Sequence, residues 1–355
     1  MARNYTGGTP EQKEFVKLFD TLTGRYNRWE VWKDMVWMIA IAISNSVDKR
    51  YFDQREKTYL DIVKKYSKKE MDTFVALYGL LFTSIVDRTE RGNWGDFLGE
   101  LFMNLDLGNE LGGQFFTPYH VCHMMSRITI EADLPQMKKE IEENGWFSCY
   151  DSAVGAGAML IAAAEVCAEQ KINYPFQVMF TAQEIDSTTA LMCYIQLSLL
   201  GCAGYVVIGD TLAKPATGNV LFGENSERCW FTPMFFEEIW HQRREIEVTR
   251  QRVRLMMNVI GANKPASVET ELTEDAVPEE EAPAALPAPE TSQETVETSQ
   301  EPSNTSQSIT TPPQEPAEAA VPDEPTNPAP PETDARTTPR RLGKHIEGQL
   351  SLFDF

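Results

Sequence analysis

Between Gly113 and Asp210 the chain sets out side chains and glycines suited to holding a nucleoside. Asp151-Ser152-Ala153-Val154-Gly155-Ala156-Gly157 puts two glycines where a β-prone run gives way to a helical one. A turn poor in side chains lets backbone amides and a helix N-terminus come close to a ligand. Glu184, in Gln183-Glu184-Ile185-Asp186, follows Asp151 by 184 − 151 = 33 residues and closes the next β-prone run. A carboxylate there can accept hydrogen bonds from both hydroxyls of a ribose. Gly209-Asp210-Thr211-Leu212 closes a third run, where a carboxylate can take the exocyclic amine of a purine, although Asp also serves turns at strand ends.

These residues need a scaffold, and the spacing of apolar residues supplies one. Runs at 147–150, 177–182 and 205–208 alternate with helical patterns at 158–170 and 188–200, which is the βαβ rhythm of a parallel, doubly wound sheet. From Glu11 to Leu107 the apolar positions fall at helical spacing, as in Phe15, Leu18, Phe19, Leu22 and Trp29, Trp32, Val36, Ile39, Ile43. Trp29 and Trp32 are therefore expected to be core. After Leu212 the pattern weakens, no further strand is expected, and a helix is expected from Pro233 to about Ile260. Its Arg243, Arg244, Arg250, Arg252 and Arg254 are interleaved with Glu245 and Glu247, the pattern of a solvated face.

One further segment, Gly113-Gln114-Phe115-Phe116-Thr117-Pro118, precedes the glycine turn. In this order the four segments resemble the cofactor half of an N6-adenine DNA methyltransferase, and the lead-in from Asp96 to Phe102 resembles the modification subunits of type I restriction systems. The likeness runs from Asp96 to Leu212, with Ser152, Val154 and Ala156 departing from the family's Asp-Pro-(Ala/Cys)-Cys-Gly-(Ser/Thr)-Gly turn. It implies an α/β fold of the Rossmann-like methyltransferase type, with a parallel-rich sheet, and S-adenosylmethionine as cofactor. It implies cofactor contacts from Gln114, Phe116, Thr117, Asp151, Ala153, Gly155, Gly157, Glu184, Ile185 and Asp210. Of these, Thr117 and Asp151 would lie near the methionine moiety, Glu184 at the ribose, Ile185 on the adenine and Asp210 at its amine.

The family's next element, an (Asn/Asp)-Pro-Pro-(Tyr/Phe) tetrapeptide that grips the target amine, has no match: Asp210 is followed by Thr211-Leu212-Ala213-Lys214-Pro215 and, later, Phe231-Thr232-Pro233-Met234-Phe235-Phe236. Adenine N6 must be extruded and held in line with the methyl donor before it can react. No catalytic residue is therefore assigned. Two accounts stay open: a partner supplies the missing loop and base recognition, or the chain is an inactive pseudo-methyltransferase that serves as an adaptor in replication or modification.

The full chain of 355 residues carries a formal charge of −21, unevenly distributed. From Pro265 to Ala335 there are 17 Asp or Glu and no Lys or Arg, so the remainder carries −21 + 17 = −4. That stretch is rich in Pro, Ala, Thr, Ser and Glu and cannot bury enough apolar surface to offset chain entropy. A disordered acidic linker is expected there. The organisation that follows is a helical module at 1–110, a cofactor-binding domain at 111–260, the linker at 261–341 and a terminal peptide at 342–355. Gln349-Leu350-Ser351-Leu352-Phe353 matches the pentapeptide by which bacterial proteins dock on the replicative sliding clamp. Leu352 and Phe353 would fill an apolar pocket while Gln349 hydrogen-bonds at its edge, and Leu350 belongs to the same clamp-binding segment. With the folded part near neutral, strong DNA binding by the chain alone is not expected, and a clamp would raise the local DNA concentration instead. Six cysteines without a Cys-x-x-Cys pair, and no signal-peptide pattern, point to a reducing cytoplasm and no metal site, and DNA and clamp as partners would make the protein nucleoid-associated.

Overall fold

A computed structural model describes residues 8–107, 116–216 and 218–262. Five helices come first: α1 (Pro10–Thr23), α2 (Arg28–Val47), α3 (Phe52–Val63), α4 (Lys68–Glu90) and α5 (Phe97–Asn104). Local chemistry sets their starts. Thr9 and Gln12 form a reciprocal capping box before α1, Ser67 and Glu70 another before α4, Asn27 caps α2 and Asp96 caps α5. Phe15, Phe19, Trp32, Phe97 and Phe102 are fully buried where α1, α2 and α5 meet. The Trp32 ring takes Phe15 and Phe19 edge-on at 6.4 and 5.9 Å. Trp32 is core as expected, and the partly buried Trp29 packs edge-on against Phe102.

A 26-residue helix, α6 (Tyr119–Asn144), leads into the sheet and ends on Gly145, whose φ of 83° is left-handed. Sequence reading did not anticipate it, because its apolar residues do not gather on one face, with Met124, Met125 and Ile128 exposed, and Pro135 lies inside it. The chain then runs β1 (Phe147–Asp151), α7 (Ala158–Glu169), the single turn α8 (Tyr174–Gln177), β2 (Val178–Glu184), α9 (Ser187–Leu199) and β3 (Ala203–Ile208). β1 pairs parallel with β2 and β2 with β3, as the βαβ rhythm implies. A fourth strand was not expected: β4 (Cys229–Phe231) runs antiparallel to β3, with Tyr205 opposite Phe231. Three residues are too few to show an alternation in sequence. A 3-10 turn (Pro233–Phe236) and α10 (Glu238–Ala262) complete the described chain.

The sheet order is β1-β2-β3-β4, so β1 is an edge. Phe147, Phe180, Ala182 and Val206 face a core shared with α7, α9 and the N-terminal helices, while Met179, Tyr205 and Val207 face Leu221, Phe231, Phe235 and Trp240. α9 is buried from Thr188 to Leu197 because the sheet lies on one side of it and α2 on the other. A helix buried all round shows no amphipathic stripe, and even its polar Thr188, Thr189 and Gln196 are each only 1% exposed. Buried Arg55 of α3 ties the helices to the sheet: it donates to the Cys229 carbonyl at 3.1 Å and stacks on Trp230 at 4.1 Å.

Two of the α10 arginines correct the expectation of a solvated face. Arg243 donates to the carbonyls of Phe176 and Gly145 and stacks on Trp240, and Arg244 stacks on Phe235. Desolvation lowers the pKa of both. Arg250, Arg252 and Arg254 are exposed as read.

Candidate cofactor site

The glycine turn sits at the carboxyl end of β1, where a parallel sheet offers its crevice. The Asp151 carboxylate accepts from the Ala153 N–H at 3.0 Å and folds the chain back. The Val154 N–H reaches the Gln183 carbonyl at 3.1 Å, which leans the turn onto β2. Gly155 (φ 57°) and Gly157 (φ 106°) both occupy backbone conformations that side chains resist. A Cβ at Gly155 would come within 3.4 Å of the Phe116 ring, and one at Gly157 within 3.1 Å of Cys193 Sγ. Gly157 starts α7 without any side-chain cap.

Glu184 closes the turn from the neighbouring strand. Only 9% exposed, its carboxylate accepts from the Gly155 N–H through Oε2 and from the Asp186 N–H through Oε1, each at 3.0 Å. A carboxylate oxygen has two lone pairs, so both oxygens keep capacity for a hydroxyl donor. Asp186 in turn caps α9 by accepting from the Thr189 N–H at 2.8 Å.

These elements enclose a cavity of about 240 Å3. Of the residues expected from sequence, Phe116, Thr117, Asp151, Ala153, Gly155 and Glu184 line it together. Gly157 stands behind it at the helix start. Ile185, 65% exposed, and Asp210, also exposed, lie at the neighbouring strand ends outside its wall. The Asp210 carboxylate accepts from the Leu212 and Ala213 N–H groups at 2.8 and 3.3 Å. Gln114 lies outside the described residues, as do Gln349, Leu350, Leu352 and Phe353.

Sequence reading missed other parts of the wall, chiefly Asp96, Cys122 and Met159. Asp96 is 4% exposed; its Oδ1 accepts from the Gly99 N–H at 2.8 Å and from Gln196 Nε2 at 2.7 Å. Gln196 also donates to the Ala156 carbonyl at 2.9 Å and accepts from the Leu98 N–H at 3.1 Å. One amide thus joins the start of α5 to the glycine turn. Burial pushes the Asp96 carboxyl up to about 6, against the pull of the Gln196 and Gly99 hydrogen bonds. The Cys122 thiol points at the Thr117 carbonyl (3.7 Å), and its pKa is raised by burial and then by the charges of Asp96 and Asp151. An Asp before an apolar helical run was legible as a cap. Its place on this wall was not, because it depends on how α5 meets α9.

Along β1 a second space of about 520 Å3 is lined by every residue from Phe147 to Ser152, together with Ile130 and Asp133 of α6 and Leu160 of α7. Side chains alternate between faces of a strand, so a groove touching consecutive residues runs along the strand's open edge. Asp151 and Met159 border both spaces. Elsewhere His123, Glu165 and Glu169 converge within 4.8 Å, with Arg127 at 3.2 Å from Glu169 and the Tyr119 hydroxyl donating to Glu165 at 2.7 Å.

Residues 100–264 match the family described as N-6 DNA Methylase, a span that contains the whole sheet and most of the cavity wall. This segment is N-6 DNA methylase-like. The N-6 DNA methylase-like segment also has a curated relative, the type I restriction enzyme MpnII methylase subunit of Mycoplasma pneumoniae. The two are 31% identical over 104 residues, covering 28% of this chain and 17% of that protein. A type I restriction-modification system methyltransferase subunit from Streptococcus thermophilus is a structural neighbour at a TM-score of 0.31 and 14% identity. That alignment covers 59% of this chain and 60% of the other. The chain thus spans well under two thirds of the curated relative's length. Among the described residues no helix is long and apolar enough to cross a membrane.

Proposed function

We propose that the chain binds S-adenosylmethionine in the cavity of Thr117, Asp151, Gly155 and Glu184, as the cofactor-holding part of a DNA adenine-N6 methylation system. The observation that carries this reading is the convergence of those four residues, from three separate segments, on one cavity at the carboxyl ends of parallel strands. Glu184 would accept the ribose hydroxyls, the Gly155 turn would lie along the nucleoside, and Thr117 and Asp151 would receive the methionine end. When bound, the cofactor supplies an electrophilic methyl group. The chain's own residues would hold and orient it.

Transfer also needs the target amine to be gripped, and we assign that step to a partner carrying the (Asn/Asp)-Pro-Pro-(Tyr/Phe) tetrapeptide. The open edge of β1 supports this, since an extended segment pairing there would end beside Asp151, next to the cavity. DNA, and a catalytic or specificity subunit, are the partners this reading requires, with recruitment to the sliding clamp through Gln349, Leu350, Leu352 and Phe353. The competing reading, an inactive pseudo-methyltransferase acting as adaptor, differs in one result. Methyl transfer to adenine-containing DNA, assayed with the chain alone and with candidate partner subunits, appears only in the mixture if the enzyme is split, and in neither if the chain is an adaptor. Calorimetry with S-adenosylmethionine tests the cofactor reading directly; no heat would refute it and leave the adaptor.

A further inference from the structure

The carboxylate of Asp96 is held among neutral partners. Its hydrogen bonds come from the Gly99 amide and the Gln196 side chain, and Arg88, whose charge acts on it, is paired with Glu100 at 3.9 Å. Glu100 and Arg88 act on Asp96 in opposite directions. A buried carboxylate without its own cation is costly to ionise, and one on a cavity wall can be relieved by a cation that enters the cavity. Its position is rigid. Oδ2 occupies the place where a Cβ on Gly99 would lie, 1.9 Å away, so only glycine lets the carboxylate fold over the first turn of α5. Asp96 lines the same cavity as Thr117, Cys122 and Asp151, and the Cys122 thiol points at the Thr117 carbonyl at 3.7 Å.

We propose that Asp96 receives the ammonium group of the ligand's amino-acid end, and that it makes the cavity select nucleosides bearing an α-amino acid over nucleosides without one. This rests on the cavity being an S-adenosylmethionine site. A cap alone does not require a charge, because Asn and Ser cap helices as well as Asp does. Binding an ammonium does.

The test is calorimetry on the full chain with two ligands. S-adenosylhomocysteine carries the α-amino acid; 5′-methylthioadenosine keeps the nucleoside and thioether but lacks it. Asp96→Asn retains the cap acceptor and removes the charge, and should weaken S-adenosylhomocysteine at least about tenfold while changing 5′-methylthioadenosine by less than about twofold. Asp96→Ser, a second cap-preserving variant, should discriminate in the same way and stands in if the Asn form does not fold. Equal weakening of both ligands, or unchanged affinity for S-adenosylhomocysteine, overturns the assignment and leaves the cofactor reading intact. If the unmodified chain binds neither ligand, the cofactor reading falls and this one with it.

Discussion

The backbone amide of Gly155 donates to the carboxylate of Glu184 at 3.0 Å, so the residue read as the ribose acceptor also clamps the glycine turn to the next strand. Ligand recognition and turn geometry are therefore coupled at Glu184. Replacing it by Ala should weaken S-adenosylmethionine binding by about 1.5–3 kcal/mol, because a charge-assisted acceptor is lost and the turn is released. Calorimetry on the variant measures the first effect, and amide exchange at Gly155 the second. Unchanged affinity would remove Glu184 from the site.

Gly157→Ala should destabilise the fold by about 1–3 kcal/mol, since a Cβ must enter a left-handed backbone position. It would also meet Cys193 Sγ at 3.1 Å, inside the packed face of α9. Gly24→Ala is the control: nothing lies within 4 Å of a Cβ there. Its backbone is right-handed helical, at φ −67°. Denaturant melts of both variants should separate them clearly.

Asp96 makes stability depend on pH. Its folded value of about 6 lies above the ordinary 3.8, so the folded protein holds this proton more tightly than the unfolded chain does. Its contribution is fully present below about pH 4 and is lost as pH rises through about 6, a swing on the order of 2–3 kcal/mol. Measured by urea unfolding at several pH values, the unmodified protein should lose stability relative to Asp96→Asn between pH 4 and 7. A constant difference would show that the carboxyl is not perturbed.

Purified chain alone should show absent or very low methyl transfer to adenine, because no (Asn/Asp)-Pro-Pro-(Tyr/Phe) tetrapeptide follows the cofactor segments in its sequence. Robust methylation by the isolated protein would show that the segment from Ala213 to Phe236 does what the tetrapeptide does elsewhere.

Leu352→Ala with Phe353→Ala should weaken clamp binding by about 2–4 kcal/mol, and a peptide spanning Lys344 to Phe355 should compete with the full chain. Co-elution of the double variant with the clamp would end the recruitment model.

The parallel strands were legible because each is a short run with aromatic or β-branched residues and the first two are each followed by a helix, and Val178 to Glu184 is buried at every residue, as a central parallel strand must be. The positions of Glu184 and the glycine turn were legible because both stand at the ends of readable strands. That of Asp96 was not, since its neighbourhood is made by Gln196, an amide on a helix a hundred positions away. β4 escaped notice because it owes its extended form to pairing with Tyr205, Val206 and Val207 rather than to its own three residues. Arg243 read as solvated because its charge suggested water, while its acceptors are carbonyls at Gly145 and Phe176.

The burial of α9 between the sheet and α2 has a consequence for how the protein is made. During synthesis α2 leaves the ribosome long before Ser187–Leu199, and until that helix arrives the face of α2 that packs on it is uncovered. Contacts this distant in sequence form late and slowly. The nascent chain therefore carries one face of α2 uncovered until α9 is made, and a chaperone that holds that face should raise the yield of folded protein.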